Sequence, residues 1–200
     1  HIIILMVWET PLPVPDNCHH KKGNDSMNEK ITVNDLSIRL CTSADLDDIM
    51  QLQDRICASI ENEEWFASTS REENASYLVW PNVIFGVYHG SILAAYGSII
   101  FPGSGKSNPG WDLGWDAQNV ENCAVLDTIV VDPAYRGLSL QKILIRRCVS
   151  HASGIMPGCT VLTTICPDNI YSLRNAQAEG FTPLMELKKY GGKRRYILSR

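Results

Sequence analysis

The chain has 200 residues, of which 44% are hydrophobic, which is enough for one packed α/β domain but hardly for two. Its 22 acidic and 18 basic side chains leave a formal net charge of −4, which argues against a protein that coats nucleic acid. We therefore expect a single folded core and no nucleic-acid partner.

The seven cysteines are scattered without a CxxC pair, and most lie in apolar runs where a thiol acts as a small hydrophobic group. This pattern suits a reducing compartment. The apolar run at residues 2–8 is too short to span a bilayer and is followed by three prolines. We expect a cytoplasmic monomer or homodimer with no membrane partner and no metal.

Residues 1–35 are predicted to form a flexible extension, because residues 10–34 are rich in Pro, Asn, Asp, His and Lys and have little to bury. The folded domain is then expected to cover residues 36–200. It begins with an alternating strand at 37–41, followed by Thr42-Ser43-Ala44-Asp45, a capping box that opens a helix. A second, shorter helix is predicted at 71–80, where Pro81 ends it.

Two antiparallel strands are predicted next, at 83–88 and 92–100, joined by a tight turn at Gly90. Residues 102–122 are rich in Gly, Pro and Asn and contain two tryptophans, which predicts a long loop and a candidate substrate lid. The nearly unbroken apolar run at 124–131 predicts a strand covered on both faces. Asp127 is its exception.

A helix over 138–151 follows, then a strand over 160–165 rich in β-branched residues and a helix capped by Asp168 or Asn169 that Gly180 ends. Two last strands are predicted near 182–187 and 194–198. The basic side chains around them are interpreted as solvated charges without a function; they are Lys188, Lys189, Lys193, Arg194 and Arg195.

The most informative stretch is Val130 to Gln141, where a buried strand leads through a turn into a helix. Backbone amides from Gly137 to Gln141 can point at one anion there, and the helix dipole adds positive charge. Gly137 permits close approach of the backbone, and Ser139 adds a hydroxyl donor. The segment therefore predicts a pyrophosphate site.

The same segment resembles the acyl-CoA-binding motif of the GNAT superfamily of N-acetyltransferases, in which Arg/Gln-x-x-Gly-x-Gly/Ala follows a V-x-P strand end. Arg136, Ser139 and Gln141 occupy its three signature positions, so serine and glutamine replace glycines. A second anchor is residues 167–172 with Gly180-Phe181 closing the helix, and the resemblance covers residues 36–200. It implies a mixed α/β (α+β) fold with a mostly antiparallel central sheet of six to seven strands flanked by about four helices.

The resemblance also implies acetyl-CoA as cofactor and a small-molecule or peptide amine as acceptor. Backbone groups of Ile129 and Val131 would hydrogen-bond pantetheine as an added strand, and Asn169 would line the cofactor arm. Many relatives carry a tyrosine late in the last helix that protonates the departing thiolate, but here Asn175 and Ala176 stand in that region. The implied cofactor contacts are Ile129, Val131, Arg136, Gly137, Leu138, Ser139, Leu140, Gln141, Asn169 and Ser172.

Amine acetylation needs a neutral amine, so a carboxylate that reaches the amine directly or through water is useful. Asp127 is the predicted base, because a carboxylate in an apolar strand is costly unless it has a partner; hydrogen bonding to loop amides explains it equally well. Tyr171 is the candidate proton donor, with a surface aromatic as the alternative. The acidic run around Glu63 could attract a cationic amine or could be a solvated loop.

The predicted reaction is direct attack of the amine on the thioester, without a covalent enzyme intermediate. A nucleophilic route through Cys123 or Cys166 stays open, although neither has a nearby histidine in sequence. The alternative function is an acyl-CoA-binding regulatory module with little or no catalysis, suggested by the replaced glycines and the missing tyrosine.

Overall fold

A computed structural model describes residues 31–60 and 62–200 of the chain, together with the backbone of Ile3–Ile4. In the described part, helices and strands alternate in a mixed α/β order. The strands are β1 (Ile3–Ile4), β2 (Leu36–Leu40), β3 (Val83–His89), β4 (Ile92–Ile100), β5 (Cys123–Val131), β6 (Thr160–Ile165), β7 (Thr182–Lys189) and β8 (Lys193–Ser199). The helices are α1 (Leu46–Ser59), α2 (Arg71–Tyr77), α3 (Pro109–Asp112), α4 (Ala117–Glu121), α5 (Leu140–Ile155) and α6 (Ile170–Ala178).

The strands form one sheet in the order β2-β3-β4-β5-β6-β8-β7, and β1 pairs with β5 outside this path. All neighbours along the path are antiparallel except β5 and β6, which run parallel. The predicted fold class, a mostly antiparallel sheet of six to seven strands flanked by helices, is confirmed.

Helices cover both faces of the centre of the sheet. The apolar side of α5, including Leu144 and Cys148, packs in one cluster with β4 and β5, and the apolar side of α1, including Ile49 and Leu52, packs on the other face. All nine residues of β5 are buried as a result, which explains why its sequence lacks polar alternation.

The predicted long loop at 102–122 contains two short helices, α3 and α4. Asn108 caps the first, accepting a hydrogen bond from the Gly110 amide at 2.9 Å, and Asp116 caps the second, accepting from the Asn119 amide at 2.8 Å. Asn108 is buried and also donates through Nδ2 to the carbonyls of Gly103 and Val120, both at 2.8 Å. These local caps give the segment more regular structure than its composition indicated.

The predicted extension at residues 1–35 lies outside the described residues, apart from β1 and residues 31–35, where Val33–Asp35 form a 3-10 turn. The boundary of the domain at residue 36 stays a prediction. No helix in the described part of the chain combines the length and apolar character that crossing a lipid bilayer requires.

Candidate active site

Strands β5 and β6 diverge at the centre of the sheet. They pair only from Cys123 with Thr160 to Val125 with Leu162, and the Thr163 hydroxyl then donates to the Leu126 carbonyl at 2.9 Å. Beyond that point β6 keeps its pairing with β8 on its other edge, and β5 continues to Val131 along β4. The edge of β5 that contains Ile129 and Val131 therefore faces a gap instead of β6.

The backbone of β1 lies along this gap. Ile3 and Ile4 pair in parallel with Thr128 and Ile129, on the edge of β5 opposite β4. The edge thus offers strand-type hydrogen bonds to an extended chain.

A tight turn leads from the end of β5 into α5. Asp132 accepts a hydrogen bond from the Ala134 amide at 2.9 Å, and a 3-10 turn at Pro133–Tyr135 brings the chain round to half-buried Arg136. Gly137 and Ser139 then adopt positive φ angles of 79° and 56°, so α5 begins at Leu140 and not at the predicted residue 138. Only glycine takes such an angle without strain, which explains Gly137.

The amides of Gly137, Leu138 and Ser139 lie at the start of α5. None of the non-helical backbone hydrogen bonds among the described residues uses the amides of Gly137, Leu138 or Ser139. Exposed Gly137 and Ser139 flank half-buried Leu138, and Leu140 is buried in the core. A Cβ atom built on Gly137 would meet nothing within 4 Å, so the space beside these amides is open.

Gln141 connects α5 with α6. It is buried, and its Oε1 accepts a hydrogen bond from Asn175 Nδ2 at 2.7 Å, while its Nε2 has no partner among the described residues. Asn169 is the N-cap of α6, where its Oδ1 accepts from the Ser172 amide at 3.1 Å. Asn169 and Ser172 are both buried, so the predicted cofactor contacts on α6 have a structural role at the helix start.

Asp127 lines a cavity of 330 Å³ on the face of the sheet opposite α5. The Asp127 side chain is buried, and its Oδ2 accepts a hydrogen bond from the Thr128 hydroxyl at 2.9 Å. Tyr77 lines the same cavity, and its hydroxyl helps to lower the pKa of the carboxyl group. The residues that line this Asp127 cavity are Glu73, Tyr77, Ile100, Pro102, Ser107, Val125, Asp127, Lys189 and Tyr190.

Burial raises the pKa of Asp127 from 3.8 to about 6, because water no longer stabilises the charged form. The hydrogen bonds from Thr128 and Tyr77 oppose this effect, and the nearby Glu73 carboxylate adds to it. The outcome is a carboxylate that is mostly ionised at neutral pH and that takes up a proton more readily than an exposed aspartate does.

Tyr171 is not among the residues that line the Asp127 cavity, and 37% of its surface is exposed on α6. The buried Ala176 stands in the late-helix region where a tyrosine was sought. Cys123 is also buried, and burial raises the pKa of its thiol to about 11. The structure therefore brings Asp127 into a cavity but does not bring Tyr171 to it.

Sequence reasoning missed Tyr77, Lys189 and Tyr190 as residues of the cavity. Lys189 forms an ion pair with Asp112, so the β7–β8 hairpin contacts α3 beside the cavity. The hydroxyl of Tyr190 lies 3.3 Å from that of Thr164 on β6. The sequence signal for this hairpin is Tyr190-Gly191-Gly192, a turn in which all three residues have positive φ.

The amino-acid pattern of residues 46–181 matches the model of the acetyltransferase (GNAT) family. The chain belongs to this family. The suspected resemblance is confirmed, and the divergence of β5 from β6 and the open amides after Arg136 are features of this GNAT domain. No curated protein sequence matches the chain significantly.

Solved structures resemble the GNAT fold of this chain over most of its length. They include an acetyltransferase of the GNAT family from Streptococcus pneumoniae (TM-score 0.60, 18% identity, 82% of this chain and 98% of that chain covered). Another is yncA from Salmonella typhimurium, solved with its cofactor acetyl-CoA (TM-score 0.61, 15% identity, 84% and 94% covered). A third is the ribosomal-protein-S18-alanine N-acetyltransferase from Escherichia coli (TM-score 0.58, 16% identity, 82% and 91% covered). At these identities the similarity concerns the fold.

Proposed function

We propose that the protein is an N-acetyltransferase that transfers an acetyl group from acetyl-CoA to the primary amine of a small molecule or peptide by direct attack. The observation that carries the proposal is the arrangement along β5. The strand places the buried carboxylate of Asp127 in a cavity and then presents, at Ile129 and Val131, a backbone edge that does not pair with β6. The amides of Gly137, Leu138 and Ser139 follow in the turn after β5.

The residues of β5 and of the turn after it suit the chemical groups of acetyl-CoA. Pantetheine is an extended chain with amide groups, and the β5 edge already pairs with the extended backbone of β1. Pyrophosphate suits the amides of Gly137, Leu138 and Ser139 at the start of α5, together with the unpartnered Nε2 of Gln141. Acetyl-CoA, when bound, supplies the thioester whose acetyl group the amine receives.

Asp127 has the properties of the base in this reaction. An aliphatic amine is protonated at neutral pH, since its pKa lies at about 10.4 for a lysine-like group, and it must lose that proton before it can attack. The Thr128 hydroxyl, 2.9 Å from Oδ2, holds the carboxylate in place, and the Tyr77 hydroxyl supports it. A pKa of about 6 leaves Asp127 ionised at pH 7 and near the range of an effective base.

Direct attack is supported by the state of the cysteines. A nucleophilic cysteine acts as a thiolate, and the raised pKa of about 11 keeps Cys123 protonated at neutral pH. Cys166 is buried. We expect the double variant Cys123→Ala, Cys166→Ala to retain turnover within about threefold, whereas loss of turnover in a folded double variant would support the covalent route.

The thiols also support a cytoplasmic location as part of the proposal. None of the six cysteines in the described residues, from Cys41 to Cys166, forms a disulfide. Unpaired thiols are typical of a reducing compartment.

A regulatory module that binds acyl-CoA without catalysis is the second candidate. The absence of a tyrosine at Ala176 and the exposed position of Tyr171 favour it, since neither residue supplies a proton to the thiolate in the cavity. Release of free thiol from acetyl-CoA, measured with a panel of primary amines, separates the two functions. An N-acetyltransferase shows amine-dependent release, and a binding module shows a thermal shift with acetyl-CoA but no such release.

A further inference from the structure

Arg195 on β8 is a buried cation that forms no ion pair with a carboxylate of the described residues. The side chain is fully buried, and its Nε and Nη2 have no hydrogen-bond partner among the described residues. Within residues 31–60 and 62–200, the side chain forms one hydrogen bond, from Nη1 to the carbonyl of Arg194 at 2.7 Å. None of the ion pairs formed within the described residues includes it. A buried guanidinium is normally paired with an anion. Arg195 is therefore a candidate anion-binding group.

The ring of Tyr190 covers the guanidinium and separates two cavities. Arg195 Cζ lies 5.6 Å from the centre of the Tyr190 ring. Tyr190 lines the Asp127 cavity on one side and a second cavity of 390 Å³ on the other. This second cavity, the Lys193 cavity, is lined by Cys57, Ile60, Glu63, Phe66, Ala67, Ser68, Tyr190 and Lys193.

Two hydrogen-bond donors, Lys193 and Trp65, belong to the segments that form the Lys193 cavity. The Nζ of Lys193 donates to the carbonyls of Glu63 and Phe66 at 2.6 and 2.7 Å. Trp65, between those two residues, has a buried Nε1 with no partner in the described structure. The Trp65 indole is thus a second unpartnered donor, on the segment that Lys193 contacts.

We propose that the acceptor amine carries a carboxylate, and that this carboxylate binds Arg195 while the amine reaches Asp127. The proposal rests on the proposed N-acetyltransferase function and narrows its substrate to amino acids or other amines with a carboxylate. Tyr190 stands between the two groups, so its ring must turn aside for the substrate to contact the guanidinium. An arginine pairs with a carboxylate through two parallel hydrogen bonds, which makes the pairing specific.

The backbone of the hairpin at Tyr190 favours such a movement of the ring. Tyr190 has a φ angle of 50°, an uncommon conformation for an aromatic residue, and Gly191 and Gly192 follow at 80° and 101°. Glycines accept large changes of backbone angle at little cost. The hydroxyl of Tyr190 lies 3.3 Å from that of Thr164 on β6, which is at the long end of hydrogen-bond lengths.

The test compares acids with their carboxamides as acceptors. Leucine, phenylalanine, β-alanine, 4-aminobutyrate and 6-aminohexanoate are each assayed beside the matching primary carboxamide, at fixed acetyl-CoA, by release of free thiol. We expect at least one acid to exceed its carboxamide at least about tenfold in kcat/KM. In Arg195→Met the kcat/KM of the acid should be within about twofold of that of its carboxamide, while turnover of the carboxamide is retained. Arg194→Met is the matched control, because Arg194 is half-exposed and pairs with Glu186, and it should leave the ratio unchanged.

Binding gives a readout that is independent of turnover. With CoA present, the preferred acid should raise the melting temperature of the wild-type protein more than its carboxamide does, and the difference should vanish in Arg195→Met. Arg195→Lys, which keeps the charge, should retain part of the preference and serves if the methionine variant does not fold. Equal rates for acids and carboxamides would overturn the inference and leave the N-acetyltransferase function intact. The absence of thiol release with every amine would instead refute the proposed function, and the melting-temperature comparison would still decide whether Arg195 binds a carboxylate.

Discussion

Replacing Asp127 by asparagine tests whether the buried carboxylate lowers the stability of the folded protein while it supports acetylation. Its pKa rises from 3.8 to about 6 on folding, a difference of about 2 pH units, which corresponds to about 3 kcal/mol at about 1.4 kcal/mol per unit. Because the folded-state pKa is above the unfolded value, this penalty is absent below about pH 4, grows between about pH 4 and 6, and is complete above. Asparagine has nearly the same size and carries no charge.

We therefore expect Asp127→Asn to be more stable than the wild-type protein at pH 8 and equally stable at pH 4. The gain at pH 8 is at most about 3 kcal/mol, and at about 2–4 °C per kcal/mol for a chain of this size the melting temperature rises by up to about 10 °C. The acetylation rate should fall by about 10²–10⁴ in kcat/KM, the usual contribution of a general base. Thermal unfolding by circular dichroism and thiol release measure the two effects.

The matched control is Asp116→Asn. Asp116 is an exposed N-cap residue of α4, and asparagine caps a helix about as well as aspartate. This variant should change neither activity nor the pH dependence of stability. Full activity of Asp127→Asn, or a stability gain of the same size at pH 4 and pH 8, would refute the assignment of Asp127 as a buried ionised base.

Further variants test the surroundings of the site. Tyr77→Phe removes a hydroxyl that lowers the pKa of Asp127, so the acid limb of the kcat/KM profile should move to higher pH; an unchanged limb would contradict this influence. Gly137→Ala and Gly158→Ala each place a side chain at a φ angle near 80° and should cost about 1–2 kcal/mol of stability, but calorimetry should show weaker CoA binding for Gly137→Ala alone. Replacing both residues of β1 (Ile3–Ile4) by proline removes the N–H donors of this strand and weakens its pairing with β5, so the Kd for CoA should fall if β1 and CoA compete for this edge; an unchanged Kd would show that they do not compete.

The regular part of the fold follows directly from the sequence. The turn at Gly90 separates β3 and β4 as predicted, and Gly180 ends α6 with a φ angle of 91°. These features are local, because apolar periodicity and glycine positions determine them within a few residues. The position of Asp127 in a buried strand was equally visible, since it interrupts an apolar run.

The environment of Arg195 was not visible in the same way. The interpretation of the basic residues near the end of the chain as solvated charges is wrong for Arg195, which is fully buried. Its burial depends on the register between β8 and β6, where Tyr196 pairs with Ile165, and that pairing joins residues distant in sequence. The sequence held a weak signal, because Arg195 lies two residues before the buried Ile197. Side chains two residues apart in a strand point to the same face.

The short ladder between β5 and β6 divides the sheet into two halves that are connected by few paired residues. Three residue pairs, from Cys123 to Val125 on β5, connect the β2–β5 half with the β6–β8 half in the described sheet. An extended molecule that hydrogen-bonded to β5 beyond this ladder would connect the two halves over a longer stretch. Its binding would then restrict the angle between the half that holds Asp127 and the half that holds Tyr190 and Arg195.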